Sequence, residues 1–113
     1  MHIDSYEFGA IVIDGQTYRQ DLLIWPGYIK SDWWRSESHL LQVADVFEAL
    51  AAPPRVLVVG TGAHGRMAVD RELAAYLKEK GIDLVAQPTG EACRFINRLT
   101  GSRAWAAALH LTC

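Results

Sequence analysis

Cysteine is scarce in this chain: Cys93 and Cys113, twenty positions apart, are its only two. A small disulfide-held secreted domain carries several pairs at close spacing, so both are read as thiols in a reducing compartment. An excess of one charge is also missing. Eleven Lys and Arg stand against thirteen Asp and Glu, for a net charge of -2. That balance lacks the positive field that phosphate-backbone binding needs, so no nucleic-acid partner is expected. Long apolar runs are absent too. The most apolar stretch, Trp105 to Leu109, is strand-sized, against the roughly 20 residues of a membrane helix. The opening Met1-His2-Ile3-Asp4-Ser5 has neither the basic nor the apolar region of a signal segment. The expectation is a cytoplasmic protein without membrane association.

What is present is hydrophobic substance. Half of the 113 residues are apolar, and a chain of this length can bury roughly two-thirds of the surface that its unfolded form exposes. One domain over residues 1–113, with a core that needs no metal or disulfide, is therefore expected. There is no internal repeat and no low-complexity segment.

The first third reads as β-structure. Tyr6 to Ile13 ends at Asp14-Gly15, a strong hairpin signal, and Gln16 to Trp25 resumes the pattern. Trp25-Pro26-Gly27 punctuates it, and a further short strand is expected within Tyr28 to Trp34. From about Leu41 the period lengthens. Val43, Val46, Phe47 and Leu50 form one helical stripe, ended by Pro53-Pro54. Arg55 to Val59 is a continuous apolar run, as in strands covered on both faces. Asp70 is placed to cap a second helix that buries Leu73, Ala74 and Leu77 and stops at Gly81. Ile82 to Ala86 follows as strand. Thr89 opens a third helix, with Ala92, Cys93, Ile96 and Leu99 on its inner face and Gly101 as its stop. Arg103 to Leu111, apolar on both faces, is the expected central strand.

Strand, helix, strand, helix, strand over residues 55 to 111 makes a parallel βαβαβ core with right-handed crossovers. If the strands progress in one direction, both helices cover one face, and the N-terminal hairpin must cover the other. The fold class is thus α/β, three layers in the order β/β/α with mixed sheets.

Several local features occur together: Phe8-Gly9, Gly15 and Tyr18, a Trp-containing stretch, Gly60-Thr61-Gly62, Gly81-Ile82, Thr89, Ala92, Asn97-Arg98-Leu99, Arg103 and the closing Ala107 to Cys113. On these the chain resembles the Mth-domain family over nearly its whole length. The resemblance implies the same three-layer β/β/α fold. Eukaryotic members are associated with assembly of mitochondrial complex I and with adipogenesis, and the family supplies no catalytic residues to carry over. The transit segment of the mitochondrial member has no counterpart here, so its location does not transfer.

Four candidate sites follow. Gly60-Thr61-Gly62-Ala63-His64-Gly65 satisfies the G-x-G-x-x-G pattern after an expected strand, where backbone amides can cradle a pyrophosphate. Yet too little chain follows for a second mononucleotide half. The acid expected on a ribose is also misplaced, with Asp83 starting the next strand and Gln87 ending it. The alternatives are a tight structural turn, or a pocket for a smaller anionic or polar ligand at Gly60, Thr61, Gly62 and His64. His110 and Cys113, with Cys93 or His39, contain metal-ligand types but not the close paired spacing of a zinc site. Neither a metal nor a cofactor is expected. Trp25, Trp33 and Trp34, with Tyr28 between them, offer a partner surface, since Trp and Tyr anchor interfaces, or else a roof over the sheet. Arg94, Arg98 and Arg103 could make a basic spot or a solvated helix face, while Asp21 and Tyr18 are polar groups near a groove between layers. The first expectation is a non-catalytic interaction or assembly module with a protein partner, self-association into a homodimer being allowed. The alternative is a ligand-binding protein or enzyme built on the Gly60 to Gly62 turn.

Overall fold

The N-terminal segment folds as β1 (Ile3–Glu7), β2 (Ala10–Ile13) and β3 (Gln16–Tyr18), an antiparallel sheet in that order that buries Ile3, Ile11 and Ile13. The computed structural model describes residues 1–99, 101 and 104–113. Asp14 and Gly15 form the expected hairpin turn, both with positive φ (49° and 81°), as a two-residue turn matching strand twist requires. A second turn at Phe8-Gly9 splits the single expected strand from Tyr6 to Ile13 into β1 and β2.

The central sheet has five strands: β4 (Leu22–Trp25), β5 (Tyr28–Lys30), β7 (Val56–Thr61), β9 (Asp83–Gln87) and β10 (Trp105–His110), in the order β5-β4-β10-β7-β9. β7, β9 and β10 run parallel, while β4 pairs antiparallel with β10 and β5 with β4. β10 is buried at every position and lies in the middle, as its two apolar faces require. Two-residue strands β6 (Leu40–Leu41) and β8 (Ala68–Val69) pair beside this sheet.

The pleat sorts side chains onto two faces. Leu23, Leu57, Val59, Ala106 and Ala108 meet Leu73 and Leu77 of α2 (Arg71–Glu79), together with Trp33, Leu41, Val46 and Leu50. Leu22, Ile24, Val58, Ala107 and Leu109 meet Ile3, Ile11 and Ile13, together with Ala92, Cys93 and Ile96 of α3 (Thr89–Arg98). The two long helices therefore lie on opposite faces, not on one. β7 stands between β9 and β10, so the path from β7 to β9 and the path from β9 to β10 run in opposite directions across the sheet. Right-handed crossovers then place α2 and α3 on different sides. The β/β/α layering holds, with α3 lying beside the N-terminal sheet.

Two helices differ in detail from their sequence stripes. Val43–Val46 forms one α-turn (α1), and Phe47–Leu50 continues as a 3₁₀ helix. The tighter winding turns Phe47 out, 61 % exposed, while Val46, Ala49 and Leu50 stay buried. In α2 the inner stripe is Leu73, Tyr76 and Leu77, and Ala74 faces solvent. Asp70 occupies the position before α2 but makes no side-chain cap; α3 opens at Thr89 as expected, with Pro88 before it.

Candidate functional site

Strand register creates the most concentrated polar cluster. Leu22 of β4 pairs with Leu109 of β10, so Asp21, one residue before β4, lies beside His110 and Leu111 at the carboxyl end of β10. His110 continues the face of Ala106 and Ala108, which turns its ring toward the loop after β5. That loop reverses at Asp32, whose φ of 59° is a left-handed conformation that Asp tolerates. The reversal seats Trp33 in the core, 5 % exposed, and leaves Trp34 79 % exposed. The Trp33 amide donates to the Asp21 carbonyl (3.1 Å), and its indole Nε1–H donates to the Asp45 carbonyl (2.9 Å).

Arg35 then reaches inward. Its Nη1 donates to Asp21 Oδ2 (2.8 Å), its Nη2 donates to the Ser38 carbonyl (2.8 Å), and the guanidinium sits 4.9 Å from the Trp33 ring centre. His110 Nδ1 lies 2.8 Å from the same Asp21 Oδ2, and the Leu111 amide donates to Oδ1 (2.8 Å). Burial pushes the Asp21 carboxyl up, but the hydrogen bonds from His110, Leu111 and Arg35 outweigh it and hold the group below its ordinary range. The side chains of Arg35 and His110 are almost wholly buried. Arg35 Nε and His110 Nε2 are buried without a partner among the described residues. A cleft of about 270 Å³ opens over this cluster, with Gln20, Asp32, Trp34 and Ser38 around it.

A larger groove of about 560 Å³ lies along β5, lined by Met1, Trp25, Tyr28, Ile29 and Trp105 among others. Trp25 and Tyr28, both in its lining, stack on each other with ring centres 4.8 Å apart. Tyr28 is 55 % exposed. The aromatic stretch is thus divided: Trp25 belongs to this groove, Trp34 to the smaller cleft, and Trp33 is a core residue. The expectation of Trp33 as partner surface is corrected on that ground, since its ring packs on the α2 face and its N–H is satisfied internally.

At the glycine-rich turn the chain's own last residues come close. A side chain on Gly60 would stand 2.9 Å from both Leu109 and the Thr89 hydroxyl. Gly62, at φ +109°, leaves only 2.2 Å between an added Cβ and the Cys113 carbonyl carbon. The Gly62 amide donates to the Thr89 hydroxyl (2.9 Å), which itself donates to the His110 carbonyl (2.6 Å). The Ala63 amide donates to the Thr112 carbonyl (2.6 Å) and the Arg66 amide to that of Cys113 (3.1 Å). Thr61 is buried, and His64 is exposed with its ring 6.3 Å from Phe8.

Cys93 is buried against the core, where desolvation pushes its thiol up to about 12 against a smaller opposing pull from Arg94. His39 stacks edge-on to His110 at 5.8 Å. Among the described residues no group of three metal-ligating side chains converges. Arg94 and Arg98 are exposed on α3, and Arg103 lies outside the described residues. Tyr18 is half-buried beside the α3-side core. Sequence reasoning named Asp21 and His110 separately but missed Arg35, whose only signal is that it directly follows Trp33-Trp34.

A family model described as a protein of unknown function (DUF498/DUF598) matches residues 3–110. Among solved structures, a conserved hypothetical protein of Pyrococcus horikoshii OT3 is 28% identical, covers 100% of both chains and superposes with a TM-score of 0.88. An outer membrane protein from Bartonella henselae is also 28% identical, over 97% of this chain and 93% of its own, with a TM-score of 0.78. A Mth938-like domain of Bordetella pertussis shares the fold at 20% identity, over 97% of this chain and 85% of its own, with a TM-score of 0.65. No helix among the described residues is long and apolar enough to cross a membrane.

Proposed function

Because this chain belongs to the DUF498/DUF598 family and has Mth938-like structural relatives, we propose that it acts as a single-domain, non-catalytic protein-interaction module of the cytoplasm, docking a protein partner along β5. The observation that carries this reading is the groove in which Trp25 and Tyr28 stack beside Ile29 and Trp105. Large aromatic rings lose little conformational freedom on binding and supply most of the energy of a protein interface. β5 is also the outer strand of its sheet, so an extended partner segment can add to its edge while apolar side chains enter the groove. A second copy of the chain is one such partner.

Capture from the source cell with the wild-type chain and with Tyr28→Asp tests this, with sedimentation of both chains run alongside. A protein retained by the wild type and lost from the variant, or a wild-type dimer that the variant dissociates, is the expected result. Identical captured sets with two monomeric chains would overturn the reading.

A further inference from the structure

At the edge of the central sheet away from β5, β9 is the outer strand. Successive residues of a strand turn their backbone N–H and C=O groups to opposite sides. The Asp83 amide donates to the Arg55 carbonyl (2.8 Å), on the β7 side. Asp83, Val85 and Gln87 therefore bond inward, and Leu84 and Ala86 turn both backbone groups outward. The side chains at this edge are also incompletely covered. On the α2 face, a hollow of about 300 Å³ beside Leu84 is lined by buried Leu77 and Ile82 and by exposed Ala74 and Lys78, and Ala86 is exposed. On the other face, α3 packs chiefly on β7 and β1. Val85 pairs with Val58 and shares that face, yet it is half-exposed, with no place in either core among the described residues.

Natural sheet edges carry a lysine, a proline or a bulge that refuses a further strand. Leu84-Val85-Ala86 carries none of these. The ends of β9 restrict what can pair with it. The Ile82 amide already donates to the Leu77 carbonyl (2.8 Å), and Pro88 has no N–H to donate. A second β9 laid antiparallel and centred on Val85 avoids both. In that register Leu84 of each copy exchanges N–H···O bonds with Ala86 of the other, so every outward group of the two residues is bonded. Val85 meets Val85 at the close, non-hydrogen-bonded position, where β-branched side chains pack against each other. Asp83 stands opposite Gln87, whose amide can donate to a carboxylate, so no like charges face each other. A slip of two residues either way brings Ile82 or Pro88 opposite an outward residue and loses bonds. The net charge of -2 adds little repulsion between copies.

We infer that β9 is a self-association surface, on which two copies of this chain pair β9 to β9 about a two-fold axis at Val85. The same strand supplies both complementary sides, as a two-fold contact requires. The two central sheets then continue into one. The contact lies at the opposite edge from the β5 groove, so the pair carries one such groove at each end, and the inference does not rest on what that groove binds.

Sedimentation of the intact chain at loadings from about 10 μM to about 1 mM tests this, with a reversible dimer of Kd about 100 μM or tighter expected. Val85→Lys sets like charges face to face, and Ala86→Pro removes an outward N–H that the pairing with β7 does not use. Each should weaken the dimer about tenfold or more, with the fold checked by far-UV circular dichroism; if one variant does not fold, the other decides. Tyr28→Asp, at the opposite edge, should leave the dimer unchanged. In a Cys113→Ser chain under mild oxidation, Val85→Cys should link two copies at least about tenfold faster than Gln87→Cys, which faces Asp83 in this register. A monomer throughout the concentration range, a dimer dissociated by Tyr28→Asp but not by Val85→Lys, or equal linking of the two Cys variants overturns the inference.

Discussion

At Asp21, burial and hydrogen bonding act in opposite senses, and hydrogen bonding prevails. Its folded pKa therefore lies below the unfolded value of about 3.9. The folded state prefers the ionised form, so this stabilisation is present above the unfolded pKa and is lost as pH falls through the folded one. Asp21→Asn should lower stability at neutral pH by about 3 kcal/mol, since Arg35 is left buried without its counter-charge. It should also flatten the acid limb of a urea-midpoint against pH curve below about pH 4; parallel acid limbs for the two chains would contradict this. The adjacent tryptophans give a second contrast at this scale. Trp33→Ala should cost about 3 kcal/mol or more, and Trp34→Ala about 0.5 kcal/mol or less, both read from denaturant melts. Gly62→Ala, placed against the Cys113 carbonyl at a φ unsuited to a side chain, should cost at least about 2 kcal/mol in the same measurement.

Among the elements, β1 pairs along its length with β2, and a side chain of α3 also grips its first residue. The Asn97 side-chain carbonyl of α3 accepts from the Ile3 amide and its Nδ2 donates to the Ile3 carbonyl, both at 2.9 Å. Asn97→Ala leaves both backbone groups of Ile3 without that partner, for a cost of about 2 kcal/mol. Hydrogen exchange should then quicken across β1 while the α2 amides keep nearly their global protection; uniform quickening would mean that β1 opens only with the whole fold. Most elements were legible in the sequence because their signals are local. The Asp14-Gly15 turn, the apolar runs of β7 and β10 and the i, i+3, i+4 stripes of α2 and α3 each depend on near neighbours. The turn at Phe8-Gly9 was missed because Tyr6 to Ile13 carries strand-forming side chains across the break. Phe47 left its expected stripe because the winding changes from α to 3₁₀ where α1 ends.

For the whole molecule, two cores on opposite faces of one sheet imply a single cooperative unit, since β7, β4 and β10 supply both. Cys93 reports on it. Its thiol, buried and pushed up to about 12, should react with a disulfide reagent only when the fold opens, whereas the half-buried Cys113 should react in the native state. Two kinetic phases in buffer, separated by roughly a thousandfold or more and merging in strong denaturant, are expected. One fast phase for both thiols would show that the α3 side opens separately.

The element types, the parallel core, the central place of the last strand and the β/β/α layering were legible before any fold was known, because periodicity, turn chemistry and the burial of two apolar faces are properties of the chain. Tertiary structure alone decided that β7 stands between β9 and β10, which sends α2 and α3 to opposite faces. It alone set the β4–β10 register that brings Asp21 to His110, with Arg35 added from a loop. Residues 21, 35 and 110 have no shared spacing to read, and only the pairing of antiparallel strands around a packed indole brings their side chains within hydrogen-bonding distance.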